Sequence, residues 1–201
     1  GVTVVAGAGL GKSRLLFEFS EWSDLRPERF WILRARGTPE MAQRPYALLR
    51  DLLSFRCEIH DNDRPAEVRA KLEQGIEGQI GRDDEMAHLI GHLAGYDLSD
   101  SPYVAGLLAD APQLARRARQ LFVRWVSELC AVDPVVIELD DIHHADDASL
   151  DLLTALVSEN EELPLLMICL ARPSLFQRRP AWGSGQEVHT RLDLRPLDRR
   201  E

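Results

Sequence analysis

The reading of this chain turns on its first nineteen residues, GVTVVAGAGLGKSRLLFEF, Gly1 to Phe19. Val2 to Val5 is a β-branched run bounded by glycines, and from Ser13 onward Leu15, Leu16, Phe19 and Trp22 recur at helical spacing. The pattern predicts strand, tight turn, helix. The turn, AGAGLGKS over residues 6–13, is one letter away from the phosphate-binding pattern of Gly, four residues, Gly, Lys, Ser or Thr. Ala6 stands where the first glycine belongs, and Gly7 comes one residue late.

A loop that binds phosphates turns consecutive backbone N–H groups inward at a helix N-terminus, and Gly7, Gly9 and Gly11 leave room for that. Lys12 would then reach the β- and γ-phosphates as a point charge, with the Ser13 hydroxyl in the Mg²⁺ shell. Two registers are open. In one, Ala6 begins a full-length loop ending at Ser13; in the other, the loop starts at Gly7 and is one residue short. If the first position needs φ above zero, alanine there costs about 1 kcal/mol, and otherwise the substitution is neutral. A turn whose glycines serve packing alone is the structural alternative. Gly-Lys-Ser placed directly between a β-branched strand and an amphipathic helix argues against it.

A second motif, DPVVIELDDIHHADDASLDLL, lies far downstream, at residues 133–153. Its Val135 to Leu139 core reads as a central strand of a parallel sheet. Asp140 and Asp141 close that strand, the place from which carboxylates hold Mg²⁺ and orient an attacking water. Asp146 and Asp147, followed by Ser149 and Leu150, read instead as cap and first-turn charge of the next helix. His143 and His144 have no third ligand in view, which makes a poor zinc site and favours a place in the core or behind the residues that line the site. Arg172, closing the apolar run LLMICLA, is expected at the same sheet edge, where two readings are open: a charge-assisted contact to a γ-phosphate, or a plain surface arginine at a strand end.

Between the motifs the chain alternates strands and helices, which predicts βαβ units and a mostly parallel, five-stranded α/β sandwich. Further strands are expected at Phe30 to Ala35, Leu165 to Leu170 and Arg191 to Leu194, and helices at Pro45 to Phe55, Pro112 to Val132 and Asp146 to Ser158. Residues 61–111 turn polar, with weaker helical stretches at Ala66 to Ile76 and Glu85 to Leu93, and read as a helical insertion in a domain spanning 1–201. The net charge of −9 disfavours direct contact with nucleic acid or anionic lipid, and no apolar stretch is long enough to cross a bilayer. Cys57, Cys130 and Cys169 are far apart and read as reduced thiols, as expected of a cytoplasmic protein.

With both motifs in view, the chain resembles the P-loop ATPase domain of the STAND branch of the AAA-related superfamily, the module linked to class III adenylate/guanylate cyclases or to helical repeats in LuxR-type bacterial regulators. The likeness runs through GLGKSRLL, RPYALLRDLL, LDDIHHADDASLDLL, CLARP and HTRLDLRPLDRRE. His144 departs from the family's usual Trp, and Ala6-Gly7 from its usual Gly-Glu. The resemblance implies ATP and Mg²⁺ as cofactors, with Ala6, Gly7, Ala8, Gly9, Leu10, Gly11, Lys12, Ser13 and Arg14 at the nucleotide. It implies Ser13, Asp140 and Asp141 at the metal, Asp140 and Asp141 in water activation, and a γ-phosphate sensor role for Arg172. An adenine-side segment upstream and a lid downstream, both usual in the family, are expected to lie outside these residues. The expected function is a slowly hydrolysing regulatory switch whose partners are ATP or ADP, attached cyclase or DNA-binding effectors and helical repeats, with nucleotide-dependent self-association. The alternatives are an interaction scaffold without catalysis and a small-molecule kinase. The kinase reading suffers because residues 61–111, where an Arg-rich lid would be sought, carry only Arg64, Arg69 and Arg82.

Overall fold

The computed structural model describes residues 1–160, 162–185 and 189–195, and only the backbone of 78–80. Five strands form one sheet: β1 (Val2–Val5), β2 (Trp31–Arg36), β3 (Val135–Asp140), β4 (Leu165–Ala171) and β5 (Thr190–Asp193). Their order is β2-β3-β4-β1-β5, and every pairing is parallel. The last strand spans Thr190–Asp193, one residue earlier than its sequence pattern suggests, while residues 196–201 of the HTRLDLRPLDRRE motif lie outside the described residues.

Parallel strands need crossovers, and these are supplied by α1 (Lys12–Asp24), α2 (Ala47–Arg56), α3 (Pro65–Ile80), α4 (Asp84–Leu93), α5 (Pro102–Ala105), α6 (Ala111–Val132), α7 (Asp147–Ser158) and α8 (Ser174–Arg178). Alternation along β3 separates two faces. Glu138 accepts a hydrogen bond from Ser20 of α1 at 3.1 Å, whereas its neighbour Leu139 packs among Leu48, Leu52, Phe122 and Leu153 of α2, α6 and α7. Right-handed crossovers produce that division, because the chain moves one way along the sheet from β1 to β2 and the other way from β2 to β5. The chain therefore leaves the adjacent strands β1 and β4 toward opposite faces. The carboxyl ends of two such strands are where open α/β sheets bind ligands.

The core lies mainly on the α2–α6–α7 side, where Leu33, Leu53, Phe122, Trp125, Ile137 and Leu156 are all fully buried. Residues 61–111, polar on average, still feed that core through Leu72, Ile76, Met86, Leu89, Ile90 and Leu98, each with no solvent exposure. Polarity there marks one side of each helix only. The three helices α3, α4 and α5 are tied together by His88, whose Nδ1 is 2.7 Å from Ser101 Oγ and whose Nε2 is 2.8 Å from Glu73 Oε1. Ser101 is completely buried, so this Ser-His-Glu row is a structural tie and offers no accessible nucleophile. The three cysteines are free and buried, and burial pushes the Cys57 thiol up to about 11 and that of Cys169 up to about 12.

The second helix begins later than its sequence suggests. Pro45 was expected in its first turn, but helical geometry starts at Ala47, after Tyr46 adopts a left-handed conformation with φ 59°. The free N–H groups at this end go to a distant carboxylate: Asp146 accepts from Tyr46 N at 2.8 Å and from Leu48 N at 3.2 Å.

Candidate functional site

The phosphate loop joins β1 to α1, and its geometry settles what Ala6 does sterically. The Ala6 N–H donates to Ala171 O at 3.1 Å, continuing the β1–β4 ladder one residue beyond the strand. Ala6 is buried, and it is not among the residues with positive φ. Left-handed backbone occurs instead at Gly9, φ 75°, and at Gly11, φ 86°, which is the N-cap of α1. Those two positions need glycine. A Cβ at Gly7 would meet only Leu10 Cδ1, at an ordinary 3.7 Å. Ala6→Gly is accordingly expected to leave ATP affinity within about threefold, well under 1 kcal/mol, in isothermal titration. A gain of tenfold or more would mean that alanine strains the loop.

Lys12 begins α1 and folds back under the loop, with Nζ donating to Ala6 O and Gly7 O, both at 3.0 Å. Only 8% of the residue is exposed, so its ammonium is held inside the turn by two neutral carbonyls. Around it Ala8, Gly9, Gly11 and Ser13 are exposed and Leu10 is half-buried. Arg14 is exposed and pairs with Glu18 one helical turn on, away from the loop carbonyls.

Because all strands run the same way, the ends of β1, β2, β3 and β4 share one edge. Ser13 Oγ donates to Asp140 Oδ2 at 3.4 Å, bringing the two sequence motifs into contact. The second oxygen of that carboxylate, Asp140 Oδ1, is buried and has no hydrogen-bond partner among the described residues. Asp141 sits in a left-handed conformation, φ 52° and ψ 38°. Gly37 permits this close approach of β2 to β3: a Cβ there would lie 2.5 Å from the Asp141 carbonyl oxygen.

Arg36, at the end of β2, is the site residue that sequence reasoning missed. Its guanidinium is 3.8 Å from Asp140 Oδ2 and 3.4 Å from Asp141 Oδ2. One arginine at a strand end carries no motif, and its pairing with the acidic dipeptide follows only from the β2–β3 register, Arg36 opposite Asp140. Arg172 lies one residue beyond β4, exposed and without an ion pair among the described residues.

His143 belongs to this neighbourhood. Its ring lies against that of His144, centroids 4.0 Å apart and planes tilted by 40°, and its Nδ1 is 3.8 Å from Asp141 Oδ1. Burial, reinforced by the adjacent His144, lowers its pKa to about 4, so the imidazole is neutral; Arg172 and Lys12 act in the same direction and Asp141 opposes them. Asp146 is not part of the open edge. It is 2% exposed, and it caps α7 by accepting from Ser149 N at 2.8 Å.

An Mg²⁺ ion fits this donor set, since a hydroxyl and a carboxylate lie side by side with one carboxylate oxygen buried and unused. Mg²⁺ takes oxygen ligands and commonly keeps only one or two from the protein, the remainder being water and phosphate. No cluster of three or more His, Cys, Asp or Glu suited to a metal occurs among the described residues.

An all-parallel sheet with a lysine-bearing glycine loop facing an acidic strand end is the arrangement of a P-loop nucleotide-binding domain. The AAA ATPase domain family model matches residues 1–168, and the chain belongs to that family. It is also similar to an uncharacterized protein of Rhizobium meliloti (strain 1021), 26% identical over 211 residues. That match covers 98% of this chain but 18% of the relative, so the chain spans about a fifth of the length of the protein it resembles. No helix among the described residues is long and apolar enough to cross a membrane.

Proposed function

We propose that this domain is an ATP-binding, slowly hydrolysing switch within a larger bacterial signalling protein of the STAND type, its nucleotide state governing attached effector and repeat domains. The observation that carries the reading is the pairing of a caged Lys12 with the Ser13–Asp140 contact across the sheet edge. In this mechanism Lys12 exchanges its two neutral carbonyl acceptors for anionic phosphate oxygens, which makes stronger, charge-assisted hydrogen bonds. The backbone N–H groups from Ala8 to Ser13 would supply the rest of the phosphate cradle at the start of α1. Ser13 and Asp140 would hold Mg²⁺, whose chemistry when bound is to neutralise charge on the phosphates. Asp141 would orient the attacking water, and Arg172 would contact the γ-phosphate.

Arg36 keeps both carboxylates partly neutralised until metal and nucleotide arrive. It is 68% exposed, and its contacts are long, so displacing it costs little. Turnover is slow in this reading because Ala8, Gly9, Gly11 and Ser13 face solvent. A site that does not exclude water forgoes much of the electrostatic gain a closed one obtains.

The test separates binding from chemistry. Asp140→Asn and Asp141→Asn are expected to bind ATP within about tenfold of the parent while any hydrolysis falls by 10² or more, read by titration calorimetry and phosphate release. Excess GTP should displace labelled ATP only weakly. Loss of binding in the aspartate variants, with hydrolysis per bound ATP unchanged, would reverse the assigned roles. A parent protein that binds no ATP would sink the reading altogether.

A further inference from the structure

We infer that His143 is a positioning residue for Asp141, donating from Nδ1 to Asp141 Oδ1 when nucleotide occupies the site. The inference rests on the ATP-switch reading. Three observations point to it. Both His143 ring nitrogens are buried and lack a hydrogen-bond partner among the described residues, although the side chain is only 3% exposed. A buried polar atom without a partner is destabilising, and packing alone does not require two of them on one ring. A leucine or phenylalanine would fill the same volume without them.

The second observation is direction. Nδ1 stands 3.8 Å from Asp141 Oδ1, beyond hydrogen-bond range by less than 1 Å, while the other oxygen of that carboxylate, Oδ2, is taken by Arg36 at 3.4 Å. The carboxylate thus has a partner on one side and a near-partner on the other. Third, Asp141 sits on left-handed backbone, an arrangement that non-glycine residues adopt rarely and that its surroundings must hold in place. Loss of the Arg36 contact would free the carboxylate to turn the short distance to His143. That bond fixes its rotamer, leaves Oδ2 free for the water, and leaves Nε2 as an acceptor at the same sheet edge.

The experiment compares His143→Leu with His143→Asn in the 201-residue chain. The Asn side-chain amide can replace the Nδ1 donor; Leu cannot. Expected results are ATP Kd within about threefold for both variants, kcat reduced tenfold or more in His143→Leu with KM little changed, and kcat within about threefold of the parent in His143→Asn. A readout independent of turnover is the ¹⁵N spectrum of the His143 imidazole: Nδ1 should become the protonated, hydrogen-bonded nitrogen on addition of Mg²⁺ and a non-hydrolysable ATP analogue. Equal turnover in His143→Leu and the parent would overturn the inference and leave the ATPase reading intact. In a parent that binds nucleotide without measurable turnover, an Nδ1 signal unmoved by the analogue would overturn it. Were both variants to lose activity and thermal stability together, His143 would be a packing residue only. A parent that binds no nucleotide would overturn the ATP-switch reading, and this inference with it.

Discussion

Replacing Lys12 by alanine is expected to lower ATP affinity at least about a hundredfold, roughly 3 kcal/mol, as measured by titration of the purified chain with ATP and Mg²⁺. The size follows from the local chemistry. Lys12 is the sole cation of the loop, and its ammonium is already desolvated, with 8% of the residue exposed. Charge-assisted hydrogen bonds each contribute about 1.5–3 kcal/mol, and Lys12 would make more than one to the phosphates. The same substitution removes the two contacts to Ala6 O and Gly7 O, so some stability is lost as well. Those are exchangeable loop carbonyls, and the expected loss is about 1 kcal/mol, a shift of a few degrees in melting temperature. The contrast is the test: a large loss of affinity with a small loss of stability marks a ligand-binding lysine. Affinity within tenfold of the parent, or unfolding of the variant, would contradict the assignment.

The parts of this site that were legible in the sequence are those whose chemistry is local. A β-branched strand, glycines at positions of positive φ, and Lys-Ser at a helix start are contiguous, so Gly9, Gly11 and Lys12 could be read directly. The run ending in Asp140 is likewise contiguous. Arg36 was not legible, because its partner lies across a strand pairing whose register no local pattern encodes. His143 was visible as a residue, but its two buried, unpartnered ring nitrogens were not, because burial of the short turn after β3 depends on what the rest of the fold packs over it. The start of α2 was misplaced for the same reason. Proline suggested a local helix start, whereas the N–H groups there are satisfied by a carboxylate one hundred residues away.

That distant carboxylate supports the second large effect. Asp146→Ala is expected to destabilise the fold by about 3 kcal/mol in denaturant unfolding, more than an ordinary cap substitution, which costs about 1 kcal/mol. Asp146 serves two elements at once: Oδ1 accepts from Ser149 N and Tyr46 N, both at 2.8 Å, and Oδ2 accepts from Leu48 N at 3.2 Å. Alanine would leave three backbone donors without this acceptor at a residue 2% exposed, and each buried orphan costs about 1–3 kcal/mol before relaxation. Relaxation and water entry bring the sum down. Asn should fall between, because one of its two side-chain positions is an amide that cannot accept an N–H. The consequence reaches the site through the chain, since Asp146 anchors the segment that carries Asp141 and His143 and ties it to the start of α2. Loosening that anchor should weaken hydrolysis more than ATP binding, as the phosphate loop stands on β1 and α1. A cost below 1 kcal/mol would mean that other groups take over the three N–H donors, and that the segment bearing Asp141 is held mainly by the packing of Ile142 and Ala145, both fully buried.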